Sequence, residues 1–174
     1  MPRSKPRFPV SWSKQPNSHH CFLCGTENPI GLNVAFWQNE ERVLTRVVLS
    51  DEHQSYPGVA HGGIVTALLD ETMGRAIIGL RDAFAFTAKL EMKFHRPTPL
   101  HTPLVVTGWI ARERRGWFQT EGTVVVEESG ETVASATGTF VFMPDEQTDA
   151  MRGQLPFFEV VEDAPTHLPP HPIS

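Results

Sequence analysis

From Ile64 to about Leu80 the run IVTALLDETMGRAIIGL places apolar residues on nearly every face of a helical period. A helix of that composition does not lie on a surface, so the rest of the chain has to enclose it. The elements available for enclosure are strands. In FTAKLEMKF, residues Phe86, Ala88, Leu90, Met92 and Phe94 alternate with Thr87, Lys89, Glu91 and Lys93, which predicts one buried and one polar face. Three more β-rich runs follow, PLVVTGWIA, WFQTEGTVVVEE and TVASATGTFVFM, separated by the turn-forming RERRG and SGE. Before the helix, LNVAFW (32–37) alternates in the same way, and RVLTRVVL beyond QNEE completes an expected hairpin. Turn formers in SDEHQSYPGVAHGG then deliver the chain to the helix start.

The element order is therefore β-β-α-β-β-β-β. One long helix and about six strands sharing a core predict an α+β fold, with an antiparallel sheet wrapped around the central helix. A doubly wound parallel sheet is excluded because β and α units do not alternate. A small sheet around one helix keeps exposed edges, which pairing between copies would cover. A homo-oligomer is expected, either a dimer or a dimer of dimers.

Composition narrows the partners. The 174 residues suit one domain. Fifteen Lys and Arg against twenty Asp and Glu give a net charge of -5, with no general attraction for nucleic acid or an anionic membrane. Charges interrupt the apolar runs well before the roughly 20 residues that span a bilayer. The opening MPRSKPRFPVSW has no apolar core of a secretory kind, and Cys21 and Cys24 are the only cysteines, so the cytoplasm is the expected compartment. Their CxxC has no second half, and His19 and His20 stand adjacent to it instead of at ligand spacing, so no metal is expected. Prolines crowd both ends, which predicts an extended arm over 1–20, a domain over 21–145 and a Pro-rich tail over 146–174.

Two acids interrupt the apolar helix, and a buried charge needs a partner or water. Glu71 has a partner within reach in Arg75, four residues on. Successive helical residues point about 100° apart, so Asp70 addresses different neighbours. HGG at 61–63 opens the helix, where unpaired N–H groups and the helix dipole favour negative charge and glycine lets a ligand approach the backbone.

The element order, together with CFLCGTENPIGL, EHQSYPGVAHGG, HGGIVTALLDE and the strand ending in HRP, resembles the hotdog-fold acyl-CoA thioesterases. The likeness is to the PaaI-like (phenylacetate-pathway) branch of the 4-hydroxybenzoyl-CoA thioesterase superfamily, over roughly Cys21 to Met143. It implies hydrolysis of acyl-CoA, with coenzyme A as part of the substrate and no separate cofactor. It also implies that the Gly62 amide polarises the thioester carbonyl, with Gly63 beside it. The carboxylate at the matching offset is Asp70, nine residues after His61, acting as general base or nucleophile. His61 is either a polarising or orienting residue or a partly buried ring that satisfies a loop carbonyl. Thr87 matches a Ser or Thr that hydrogen-bonds the carboxylate or the attacking water. Its strand parity turns it from its own helix, so it is expected to meet a carboxylate across a subunit interface. Where some relatives carry an amide, this chain has Ser55 with Gln54 beside it, and either orients water or serves only as a turn residue. Arg96, Arg114 and Arg115 are candidates for a coenzyme A phosphate. The alternative function is a non-catalytic hotdog module that binds acyl-CoA or a related small molecule.

Overall fold

The apolar helix forms and is enclosed as its composition requires. In the computed structural model, which describes residues 12–154, it is α1 (Gly62–Arg81), with Val65, Leu68, Leu69, Met73, Ala76 and Ile77 buried. It ends where Asp82 adopts a left-handed conformation and its N–H bonds back to Ile78 O at 3.0 Å. The other elements are β1 (Ser13–Lys14), β2 (Trp37–Gln38), β3 (Arg42–Val48), β4 (Gln54–Tyr56), β5 (Val59–Ala60), β6 (Ala85–Phe94), β7 (Pro103–Arg114), β8 (Trp117–Val126), β9 (Thr132–Phe142) and α2 (Asp145–Gln154). A single antiparallel sheet runs in the order β1-β2-β3-β7-β8-β9-β6 and packs on α1, chiefly through β7 and β8. This is the expected α+β architecture of strands around one helix.

The helix seats deeply because two strands carry glycine beneath it. Gly108 of β7 and Gly122 of β8 are paired across the ladder. A Cβ on Gly108 would lie 2.8 Å from Thr72 O, and one on Gly122 would lie 2.9 Å from Leu69 Cδ2. At Gly108 the atom met is helix backbone, so there the helix rests where only glycine leaves room; at Gly122 the atoms met are the Leu69 side chain and the β7 carbonyl of Thr107.

Four elements differ from the sequence expectation. LNVAFW is a strand only at its last residue, Trp37, which opens β2, because its earlier backbone groups pair with the loop before it: Leu32 N with Phe22 O, and Val34 N with Leu23 O, each at 2.8 Å. Asn33 in a left-handed conformation breaks the run, and Val34, Ala35 and Phe36 are all buried in place of alternating. The turn-rich segment before the helix contains the small hairpin β4-β5, turned at Gly58 with φ +76°. Finally, α2 occupies part of the expected tail, with Asp145 and Glu146 in its first turn and Arg152 in its last, matching the helix dipole. At the other end, Ser13–Lys14 of the expected arm joins the sheet edge, and Gln15 and Asn17 are buried. The rest of both ends, 1–11 and 155–174, lies outside the described residues.

Replacing Gly108 with Ala forces the helix off its seat, and overpacking of this kind costs about 1–3 kcal/mol. Urea unfolding of Gly108→Ala is expected to show a lower midpoint with an unchanged slope.

Candidate active site

The β4-β5 hairpin brings the chain to His61, whose N–H bonds His53 O at 2.7 Å. His61 is exposed and caps α1: its Nδ1 accepts the Gly63 N–H at 2.9 Å. An accepting Nδ1 places the proton of the neutral ring on Nε2. The ring therefore satisfies a backbone amide, not the loop carbonyl that one of its two expected roles requires. The Gly63 amide is occupied by this cap. Among the described residues, the Gly62 N–H has no hydrogen-bond partner, which leaves it as the donor available at the helix start.

Gly62 faces a cavity of about 420 Å³. Its lining includes Ser55, Tyr56, Val65, Phe94 and Arg96, and Phe94 approaches closely enough that a Cβ on Gly62 would meet its ring at 3.4 Å. Ser55 and Arg96 thus join Gly62 around one space, with Arg96 ion-paired to Glu131. Gln54 does not line it; its Oε1 accepts the Gly58 N–H at 3.2 Å and closes the hairpin. Arg114 and Arg115 line a separate cavity with Phe142 and Pro144.

Asp70 lies further along α1, half-buried, and Thr87 Oγ1 donates to its Oδ1 at 2.8 Å. The contact is within one chain, which overturns the expectation that Thr87 turns from its own helix. The cause is a β-bulge. Thr87 pairs with Phe140 and Lys89 with the adjacent Thr139, so Ala88 is an extra residue in β6. Alternation is out of step across it: Thr87 joins the inward face, and Phe86, expected to be buried, is 53% exposed beside Val141, itself 45% exposed.

Burial raises the Asp70 carboxyl above its ordinary range; the Thr87 hydrogen bond opposes this, and the neighbouring Glu71 charge adds to it. Glu71 turns to Arg75, whose Nε donates to Oε1 at 2.9 Å, as the four-residue spacing predicts. Among the described residues, the His, Cys, Asp and Glu side chains that converge as a ligand set for a metal are Cys21, Cys24 and Glu71, all within 4.8 Å of one another.

Residues 57–133 match the family model of the Thioesterase superfamily. A solved thioesterase superfamily protein is 30% identical, with a TM-score of 0.66 over 71% of this chain and 60% of its own. The chain has the hotdog fold of that superfamily. The protein smu.793 of Streptococcus mutans, solved bound to acetyl CoA, is 24% identical, with a TM-score of 0.59, over 64% of this chain and 89% of its own. The acyl-coenzyme A thioesterase THEM4 of Bos taurus is 27% identical over 130 residues, 73% of this chain and 53% of that protein. The hotdog chain thus spans about half the length of this curated relative. No helix among the described residues is long and apolar enough to cross a membrane.

Tyr56, Val65 and Phe94 line the cavity without having been singled out from sequence. Alternation places Phe94 on the buried side of its strand, and the sequence signal that marks it for the cavity is its place at the strand end, next to His95 and Arg96. The Thr87–Asp70 bond favours the charged carboxylate, so Thr87→Val is expected to raise the Asp70 pKa further. A carbon-detected NMR titration of the Asp70 carboxyl checks this, and an unchanged midpoint would refute the coupling.

Proposed function

We propose that this chain hydrolyses acyl-CoA thioesters to a free acid and coenzyme A, in sites assembled between two copies. The observation that carries the reading is the placement of two complementary groups on one rigid helix. An available N–H stands at Gly62 and a hydrogen-bonded carboxylate at Asp70. Eight residues at about 1.5 Å each separate them by roughly 12 Å along the axis. A thioester carbonyl that takes a hydrogen bond at roughly 3 Å from one and attack activated by the other cannot reach both in a single chain. Two copies with their helices side by side can present Gly62 of one to Asp70 of the other. Among the described residues, strand β6 ends the sheet with an unpaired edge, where a second copy can add its own strand.

In this mechanism the carbonyl oxygen binds the Gly62 amide, whose dipole stabilises the developing oxyanion. Asp70 then removes a proton from the attacking water, or attacks directly to give an anhydride that water resolves. The tetrahedral species collapses with departure of the coenzyme A thiolate. Thr87 holds the Asp70 carboxylate in one orientation, and the raised pKa brings that base closer to working pH. Tyr56, Val65 and Phe94 give the cavity beside Gly62 an apolar lining, with Arg96 at hand for a phosphate. No resident metal or cofactor is called for, and the two free thiols suit the cytoplasm.

Replacing Asp70 with Asn is expected to lower kcat/KM toward acyl-CoA by about 10²–10⁴-fold. Stability should move the other way. A carboxyl whose folded pKa lies above its unfolded value stabilises the fold fully at low pH and loses that contribution as pH rises through the folded pKa. At pH 7 the charged form is the costly one, so Asp70→Asn should leave Tm unchanged or raise it. Undiminished turnover by this variant would sink the assignment of Asp70. Acyl-CoA binding by the wild type with no turnover would identify the non-catalytic module instead. Sedimentation of the active protein tests the shared site, which a fully active monomer contradicts.

A further inference from the structure

The CxxC at 21–24 has no part in the thioester chemistry, yet it is built into the buried side of α1. Its turn is closed by the Gly25 N–H donating to Cys21 O at 2.8 Å. Cys21 Sγ, Cys24 Sγ and a Glu71 carboxylate oxygen lie within 4.8 Å of one another. Among them sits Arg75, only 3% exposed. Its Nη2 donates to Cys24 Sγ at 2.7 Å, its Nε to Glu71 at 2.9 Å and its Nη1 to Pro16 O at 2.6 Å. Ser18 Oγ adds a contact to Cys24 Sγ at 3.6 Å.

A guanidinium donating to a buried sulfur is the environment of a thiolate. The hydrogen bond from Cys21 holds the Cys24 thiol below its usual range and outweighs the opposing effect of burial; the Arg75 charge reinforces it. The same hydrogen bond, together with burial, raises Cys21, so the proton of the pair resides there. Metal binding fits less well: three ligand atoms fall one short of a closed tetrahedral site, and Arg75 already supplies the cation.

We propose that Cys21 and Cys24 form an oxidisable dithiol, with Cys24 reacting first with hydrogen peroxide and Cys21 closing the disulfide. The Cys24 thiolate attacks one peroxide oxygen, the O–O bond breaks, and Cys24 becomes a sulfenic acid while hydroxide leaves. Cys21 then attacks the Cys24 sulfur, its proton leaving with the sulfenic oxygen as water. The two sulfurs lose two electrons, and one peroxide is reduced to one water and one hydroxide, which takes a solvent proton to give the second water. Cys24 is 1% exposed, so a water-sized oxidant suits it where a bulky disulfide does not. Closure removes the sulfur anion from Arg75, the residue that ties Pro16 to α1 beside Glu71. Oxidation of the loop is thereby felt on the helix that carries Asp70. The dithiol chemistry stands whether or not the thioesterase reading does.

The test is peroxide treatment of the folded full chain, followed by thiol counting and intact-mass measurement. Both thiols should disappear together with a mass loss of about 2 Da, and dithiothreitol should restore them. In Cys21→Ser the reaction should stop at a sulfenic acid on Cys24, a mass gain of about 16 Da that dimedone traps once the oxidised chain is opened in urea. In Cys24→Ser the remaining thiol should survive the same treatment. Both thiols persisting in the folded chain, at peroxide levels that oxidise them in urea, would overturn the proposal. So would a Cys24→Ser chain that oxidises as fast as the wild type, or one tightly bound zinc per chain that protects both thiols.

Discussion

The close approach of α1 to the sheet at Gly108 and Gly122 is the constraint on which the other features depend. An apolar helix needs walls, and a wall with a side chain at Gly108 would meet the backbone of Thr72 and stand too far off. With the helix seated there, Leu69 and Met73 fill the space over β8, and the helix is fixed in rotation as well as depth. That rotation settles which acid goes where. Glu71 turns toward Arg75 and the N-terminal loop, and Asp70 turns toward the edge strand β6.

The same helix separates tasks along its length. Its first turn offers a backbone donor and opens onto the cavity lined by Phe94. Its middle holds a carboxylate that is half-buried, kept from full solvation and steadied by one hydroxyl. Its far side anchors a guanidinium that gathers Glu71, Cys24 and Pro16. Placing these groups on one rod fixes their spacing more firmly than loops would, because the rod is buried along Val65, Leu68, Leu69, Met73, Ala76 and Ile77.

Much of this was legible in the amino acids. Periodicity gave the helix to within two residues at its start and one at its end, and gave the four strands that follow it, because long regular elements impose a regular pattern. The spacing of Glu71 and Arg75 gave their ion pair. LNVAFW departs from its pattern because alternation of types is not alternation of burial: its backbone pairs with the CFLC loop, a contact that no local pattern announces. Gln54 and Ser55 could not be told apart until the hairpin sent one to Gly58 and the other to the cavity. The Arg75–Cys24 contact joins residues 51 apart in sequence, beyond the reach of any motif.

The bulge at Ala88 means that β6 keeps step with β9 only by being one residue too long. Its inward and outward faces are set by that surplus, so counting along the strand gives the wrong side for everything upstream of it. Shortening the strand by Ala88 would leave Phe86 and Thr87 on their present faces. Keeping the residue and straightening the strand would send Phe86 inward against the Asp70 carboxylate and Thr87 out to water. At this edge the length of the segment, more than the polarity of its residues, decides whether a charge meets a hydroxyl or a ring.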